Sequence, residues 1–552
     1  MRRHTPILTN SRSSEAEGDS GQAAVSLILM LGLFLLGILG FAVDLTNVWF
    51  HRQAAVAAAD AACQAGALDM LAVTGGLSLP STGFTPGAAS DCVSSSSATM
   101  CTYAGFNGYN GSGLSSTTAS NSVSWTFPSS VSGVAAGAGT YPFMTVAISE
   151  NVKTYLMSLL SASHYQKVTV STTCGITLVK EAAPMVILNP TLSGAFTYSG
   201  GGTLDIVGGP ARGLQVNSSS ATAVSWSASG MINLSGGGPN QTGSNIAIVG
   251  GPASIPNNGS SLGYNGGTTG SWQSGVLPVA DPLGTVGAPG SVKSITPTTT
   301  TSGTWVAYKT DGCPDHSGGT GNSSQACKEF GPGYYPSGIN LPSVMNNYST
   351  AIFKPGIYYL NGSLVASGSN TIRIAKPSGY QQTDGVMFYF LSGSLNISGC
   401  SGCSNSGVDN VNATDLTCDG SSPPSGLGMS STLYGNILYG ECTANGTYWD
   451  SGGDTTDSRG SSGTRGILVF QDHSNTTQPT FAGSGALSFA GALYFHSNTY
   501  SDVLNLSGGA SSGAFILGEI ISDQVNLSGS GVIKLALNPV ATTNMSKVAI
   551  FN

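Results

Sequence analysis

Charge is what this sequence has least of. Only 8% of its 552 residues are Asp, Glu, Lys or Arg, where an ordinary soluble domain carries about a quarter. The 18 Lys and Arg are outnumbered by 26 Asp and Glu, giving a formal net charge of −8. Such a chain has no basic surface for phosphates, which excludes nucleic acid as a partner. Scarce charge does not mean disorder here. Disordered chains are poor in apolar residues, and this one is 40% hydrophobic. Its 78 Gly show no three-residue period, so collagen is excluded as well. What is present suits a β-rich body whose polar surface is Ser, Thr, Asn and Gly, and the length allows several domains.

The longest charge-free run near the N-terminus lies between Asp19 and Asp44. Within it, residues 23–43 are long enough for a helix to cross a bilayer, which takes about 20 apolar residues. A cleaved signal peptide has a shorter apolar region of about 7–15 residues. The run therefore reads as an uncleaved anchor. Arg2, Arg3 and Arg12 precede it, and only Arg52 follows closely. The positive-inside rule keeps residues 1–20 in the cytoplasm and sends the rest outside an inner membrane, outside the cell or onto its surface.

Residues Gly21 to Ala67 carry a recognisable order: Gly21-Gln22, an apolar helix, Ala42-Val43-Asp44, the aromatic pair Trp49-Phe50, then Gln53 and a small-residue run around Asp60 ending Ala65-Gly66-Ala67. This order resembles the N-terminal segment of TadE/TadG-like proteins of Flp (tight adherence) pilus assembly. The resemblance implies a membrane-held pilus-system protein, with Gly21, Gln22, Asp44, Gln53 and Asp60 as its motif residues. It implies the bilayer and other pilus-assembly proteins as partners, with surface glycans as a candidate ligand. Physically, Asp44 falls at the outer membrane boundary, where water can solvate it, and Asp60 lies about four and a half turns further on the same helix. Two family features are missing. The fifth residue after Gly21 is Ser26 rather than the Glu of a prepilin-peptidase signal, and there is no Asp-x-Ser-x-Ser metal motif of a von Willebrand A domain.

Residues 75–185 read as a small α+β pilin-like module behind a Gly/Ser-rich linker. Met144, Val146 and Ile148 alternate as in a strand. Ser149 then reads as a helix N-cap, with Glu150, Val152, Tyr155, Leu156, Leu159 and Leu160 at helical spacing. A second strand should place Val168, Val170, Thr172, Cys174, Ile176 and Leu178 on one face.

From residue 186 to 552 short apolar runs alternate with Gly, Ser and Asn. Asp205-Ile-Val-Gly-Gly-Pro-Ala211 recurs as Ala247-Ile-Val-Gly-Gly-Pro-Ala253, an offset of 42. Asn followed by Leu or Ile, Ser and Gly occurs at Asn233, Asn396, Asn505 and Asn526, the last two 21 apart. A period near 21 with Gly and Asn at corners suits a right-handed parallel β-helix, whose stacked coils bury a core that no coil could bury alone. An antiparallel β-sandwich or propeller is the alternative. Residues 294–345 and 400–465 read as lateral insertions. Pieces of this body also resemble the C-terminal part of some TadG-like proteins: Asn217-Ser-Ser-Ser220, Asp281-Pro-Leu283, Lys354 to Leu360, Gly385 to Phe390, Val469 to His473 and Gly491 to Tyr494.

All 10 Cys follow the apolar segment, in what should be an oxidising compartment. Cys92 with Cys101 and Cys313 with Cys327 are candidate local disulfides. Cys400, Cys403, Cys418 and Cys442 hold one CxxC, but the second pair is 24 apart, which favours disulfides over zinc. Cys63, in the Ala-rich helix, is read as free or packed, with pairing to another chain as the alternative. Catalysis on a β-helix needs clustered acids or an acid beside a cation. Asp472 with His473, and His496, are the best candidates, and a strand-end turn accounts for them better, since an acid–His pair on a loop carries no specific spacing. No cofactor or metal is implied. The sequence therefore reads as a mainly β, non-enzymatic envelope protein; an anchored carbohydrate-active β-helix enzyme and a pilus-independent adhesin are the alternatives.

Overall fold

In the computed structural model, residues 19–551 are described with breaks, the longer ones at 75–78, 80–83, 160–163, 257–261, 264–269, 290–295, 298–301, 315–326, 399–410, 443–464, 509–513 and 538–544. Residues 1–18, with Arg2, Arg3 and Arg12, lie outside the described residues, as do Cys400 and Cys403.

One helix, α1, runs from Asp19 to Thr74 without a proline. Its 56 residues make it about 84 Å long. Its two halves have opposite surroundings. Leu27, Leu29, Leu33, Leu36 and Leu39 are all more than half exposed. Ala55, Ala58, Ala59, Ala62 and Met70 are buried at helical spacing. The first half thus offers apolar side chains to no protein partner, while the Ala face of the second half lies on a sheet close enough to need small residues.

That sheet is antiparallel, with strands Ser90–Asp91, Ser120–Thr126, Phe143–Lys153, Tyr165–Val179 and Met545–Phe551 in that order. Val123, Val146, Ile148, Val170 and Ile176 point at α1 and form one core with its Ala face. The alternation expected for 144–148 and 168–176 is present. The helix expected from Ser149 is absent: the strand continues through Lys153, with Glu150 opposite Val168 and Val152 opposite Gln166. Val152 simply extends the two-residue alternation, and a long paired neighbour favours the strand over an isolated helix face. Among the described residues a 3-10 turn, Met157–Leu159, follows, and Leu160 lies outside them. The final strand also belongs to this module, although it follows the whole body in sequence.

The body is a stack of coils with three faces, of eleven, ten and eight strands among the described residues, all parallel except Thr304–Val306, which ends the eleven-stranded face antiparallel to Cys327–Phe330. A coil visits the faces in turn, as in Thr350–Phe353, Gly356–Asn361 and Leu364–Ser367, and the next coil pairs in parallel with it. Strand spacing makes the eleven-stranded face about 50 Å long. Inside, aromatic rings stack from coil to coil: Phe330 on Phe353, which are in register, and Tyr335 on Tyr358, which are two positions apart, with centroids 5.3 and 5.9 Å apart. Gly338 and Gly393 stand at one corner with φ of 68° and 70°, where a Cβ would collide with the backbone of the adjoining coil.

Coil order is not chain order. Strand Met185–Ile187 pairs with Ile520–Ser522, so the first coils of the chain continue the stack where its last coils end. The chain enters from strand Tyr165–Val179 and returns to that strand's neighbour Met545–Phe551, so the module joins the stack at this seam. From the seam the chain runs outward to Trp272–Ser274 and restarts at Thr304–Val306 at the other end. The 29 residues between, 275–303, reach about 95 Å when extended, enough to travel the length of the stack.

Three expectations change accordingly. The two copies of Ile-Val-Gly-Gly-Pro-Ala are not equivalent, since Thr203–Val207 and Asn245–Ile248 lie on different faces. The Asn repeat is structural for three of its four sites: Asn396, Thr480, Asn505 and Asn526 are in register on the third face, with Asn526 Nδ2 donating to Asn505 Oδ1 at 3.2 Å, while Asn233 is elsewhere. Cys327–Phe330, Gly333–Tyr335 and Asn436–Tyr439 lie in the regions read as insertions but are coil strands.

Candidate functional site: the anchor junction and the clamped crossover

Two places gather the residues singled out from the sequence. The first is the junction between α1 and the sheet. Asp44 closes the apolar run of α1 and is buried, not solvated as expected. Its carboxylate accepts the backbone N–H of Tyr155, Leu156 and Met157 at 3.0, 2.7 and 2.6 Å. It therefore holds the hairpin tip that follows strand Phe143–Lys153, satisfying the free donors where the strand ends. The side chain of Leu156 lies on Gly40, one turn back, where a methyl would collide with it.

Further along α1, the Thr172 hydroxyl donates to Asp60 Oδ1 at 2.6 Å. Cys63, read as having no partner in the chain, is disulfide-bonded to Cys174 across 111 residues. Between these, His51 Nδ1 meets Glu150 Oε1 at 3.0 Å, and the Tyr109 hydroxyl donates to Glu150 Oε2 at 3.1 Å. Gln53 and Gly21 are exposed, and the Gln22 carbonyl accepts from Ser26 at 2.9 Å. Both motif aspartates are thus ties between α1 and the sheet. Sequence could place them on the helix but not find their partners, which lie over 100 residues away.

The second place is the outer side of the second face. Tyr334, Tyr359, Tyr389, Phe470 and Tyr494 are in register there, with neighbouring ring centroids 4.5 to 5.8 Å apart. The start of the crossover is clamped over this face. Asn217 Nδ2 donates to the Val279 carbonyl at 2.6 Å, and Val279 N–H donates to Asn217 Oδ1 at 2.9 Å. Leu283 and Val286 are buried in the same cluster as the aromatic row. Replacing Asn217 by Ala leaves both Val279 groups unpaired and is expected to cost about 2–3 kcal/mol, read as a lower denaturation midpoint of the full chain.

The three candidate catalytic residues meet under this clamp. Asp472 accepts from the Tyr389 hydroxyl, and from Ser474 N–H and Oγ at 2.8 and 2.5 Å. His473 Nε2 meets the Tyr494 hydroxyl at 2.9 Å, and that hydroxyl donates to Asp281 Oδ2 at 2.5 Å. His496 Nδ1 bonds Asp523 Oδ1 at 2.5 Å. Asp523, fully buried, also accepts the N–H groups of Ser497 and Asp502 at 3.0 and 3.1 Å. Asp281, Tyr494 and Asp523 were not among the sequence candidates. Asp281, Tyr389 and Tyr494 do lie in sequence pieces singled out above, and so do Asp472 and His473. The pieces scattered over 300 residues converge on this clamp.

Burial would lower His496, but the Asp523 hydrogen bond and the Asp281, Asp523 and Asp502 charges outweigh it and raise its pKa. His473 is lowered, chiefly by burial. Asp502 is pushed up to about 7 by burial and by the Asp523 charge. Burial opposes ionisation of Asp472 too, yet the Ser474 and Tyr389 hydrogen bonds bring its pKa below the ordinary value.

His496 and Asp502 both bind protons more tightly folded than unfolded, so each stabilises at low pH and loses that contribution as pH rises. For Asp502 the loss runs from its ordinary 3.8 to about 7, and for His496 it begins above 6.5. The lowered His473 works in the opposite direction up to about 6.5, so the melting midpoint is expected to fall as pH rises from 7 to 9, and His496→Gln to flatten that fall. A flat profile in the parent chain contradicts this arrangement.

Among the described residues, no three His, Cys, Asp or Glu side chains are grouped as ligands for a metal ion. Cys92–Cys101, Cys313–Cys327 and Cys418–Cys442 are disulfides, as expected for the first two and for half of the four-cysteine cluster.

Comparison with known families places residues 21–69 in the family described as "Putative Flp pilus-assembly TadE/G-like". The matched stretch runs from the start of the exposed half of α1 to the end of its buried face, and it includes Asp44, Asp60 and Cys63. No curated protein and no solved structure matches the chain.

Proposed function

We propose that this chain is a non-enzymatic, membrane-anchored component of a tight-adherence pilus system, with its β-helix body outside the inner membrane in a structural or surface-binding role. The observation that carries the reading is the division of α1. Its TadE/G-like stretch begins as an exposed apolar helix and continues as a helix packed on the antiparallel sheet. The orientation is supported by Arg2, Arg3 and Arg12 on one side, and by four disulfides among the described residues on the other.

A carbohydrate-active reading draws support from Asp472, His473 and His496 coming together. Against it, these groups are committed to Tyr389, Ser474, Tyr494 and Asp523, with His496 buried and Asp472 and His473 half-buried. A general acid or nucleophile needs a route to substrate. The test is removal of the chain from the producing cell. Loss of surface filaments and of attachment, restored by the parent chain, supports the proposal. Unchanged filaments with attachment lost would leave the pilus-independent adhesin. Turnover of neutral or acidic glycans by the exported body, lost in Asp472→Ala, would establish the enzyme.

A further inference from the structure

We propose that the hairpin tip Thr154–Ser158 is a second membrane contact, seated in the outer lipid interface beside α1; this rests on α1 being the anchor. Residues 23–43 number 21, which rise about 31 Å as a helix and match the hydrocarbon thickness of a bilayer. The outer edge of the hydrocarbon then falls at Val43. Leu156 lies on Gly40, three residues back, which puts its side chain about 5 Å inside that edge. The three hydrogen bonds to Asp44 fix the tip at this level.

What the tip shows at this level is suited to lipid. Leu156 is 41% exposed and Tyr155 62%, although both are bulky and largely apolar. One to two turns above Val43 on α1, Trp49 and Phe50 are 54% and 61% exposed, their rings 5.2 Å apart. Lys153 Nζ stands over the Tyr155 ring, 5.4 Å from its centre. Aromatic rings and a lysine within about two turns of the end of an apolar helix are the composition of a membrane interface. The same arrangement explains why Asp44 tolerates its position: the tip supplies its donors where water is scarce. With two points held, the sheet cannot swing freely about α1, and the angle of the exported body to the membrane is set.

The experiment uses the full chain in vesicles of phosphatidylcholine and phosphatidylglycerol carrying spin-labelled acyl chains. An environment-sensitive fluorescent amino acid is placed at position 156, at position 35 within the span, or at position 141. Tyr141 is 42% exposed at the far end of the same strand, roughly 35 Å from Lys153. The expected result is blue-shifted emission at 156 and several-fold stronger quenching by shallow labels there than at 141, with 35 quenched best by deep labels. Quenching at 35 with 156 behaving like 141 overturns the inference and leaves the anchor intact. Emission at 156 that is blue-shifted but unquenched shows the tip covered by a second copy and also overturns it. No quenching at 35 removes the anchor and this contact together.

Discussion

Replacing Cys63 and Cys174 together by Ala is expected to cost about 3–5 kcal/mol, because the bridge closes a loop of 111 residues that the unfolded chain would otherwise leave open. The effect should be confined to the membrane-proximal module. The bridge joins the buried face of α1 to the central strand Tyr165–Val179, and the stack has its own core. Protease should then cut within residues 84–153 at a lower denaturant concentration, while fragments of the stack persist. Reducing agent should produce the same change in the parent chain and add little to it in the double variant. An unchanged midpoint in the double variant would mean that α1 and the strand are not joined there.

Asp44→Ala removes the only charged side chain between the apolar run and His51 and strips three backbone donors of their acceptor. Amide exchange at Tyr155, Leu156 and Met157 is expected to speed up on the order of a hundredfold, since unmade hydrogen bonds at a packed junction cost several-fold more than exposed ones. Asp44→Asn retains one acceptor oxygen and should lose less. The effect should stay local, leaving the Asp60–Thr172 bond and the disulfide in place. Unchanged exchange at all three amides would show that the tip is held by something else.

These two ties also mark the limit of what the sequence discloses. The order of Gly21-Gln22, Asp44 and Asp60 is local, and a helix shows it directly. Their partners, Tyr155 to Met157 and Thr172, are set by how the sheet folds back on α1. The segment after Ser149 was misread for a related reason: Val152 fits both a two-residue and a 3.6-residue spacing, and only its pairing with the strand Tyr165–Val179 decides between them.

In the body, Gly and Asn corners and the Asn505–Asn526 spacing disclose stacked coils, because each coil repeats the same local geometry. They do not disclose which coil follows which. Met185–Ile187 docks on Ile520–Ser522 because the edges match, across more than 300 residues, and the 42-residue repeat is a coincidence of two different faces. The clamp over the second face was legible only in fragments. Asp472 and His473 stood out by chemistry, whereas Asn217, Asp281 and Asp523 acquire meaning once the crossover is laid along the aromatic row.

Scarce charge now has distinct physical causes in the described parts. In the first half of α1 it leaves a surface fit for lipid. In the stack, coil-to-coil pairing hides the strand edges, and the Asn and Thr row on the third face supplies polarity without net charge. Of the few charges that remain buried, some are paired, as Asp523 is with His496 and Glu329 with Lys354, and others are held by backbone hydrogen bonds, as Asp44 and Arg465 are.

That one helix anchors an exported body can be read from the topology of the chain in the membrane. In spheroplasts carrying one epitope before Met1 and another after Asn552, external protease should remove the second epitope and spare the first until detergent is added. Protection of the epitope after Asn552, or release of the intact chain by an alkaline wash, would contradict it.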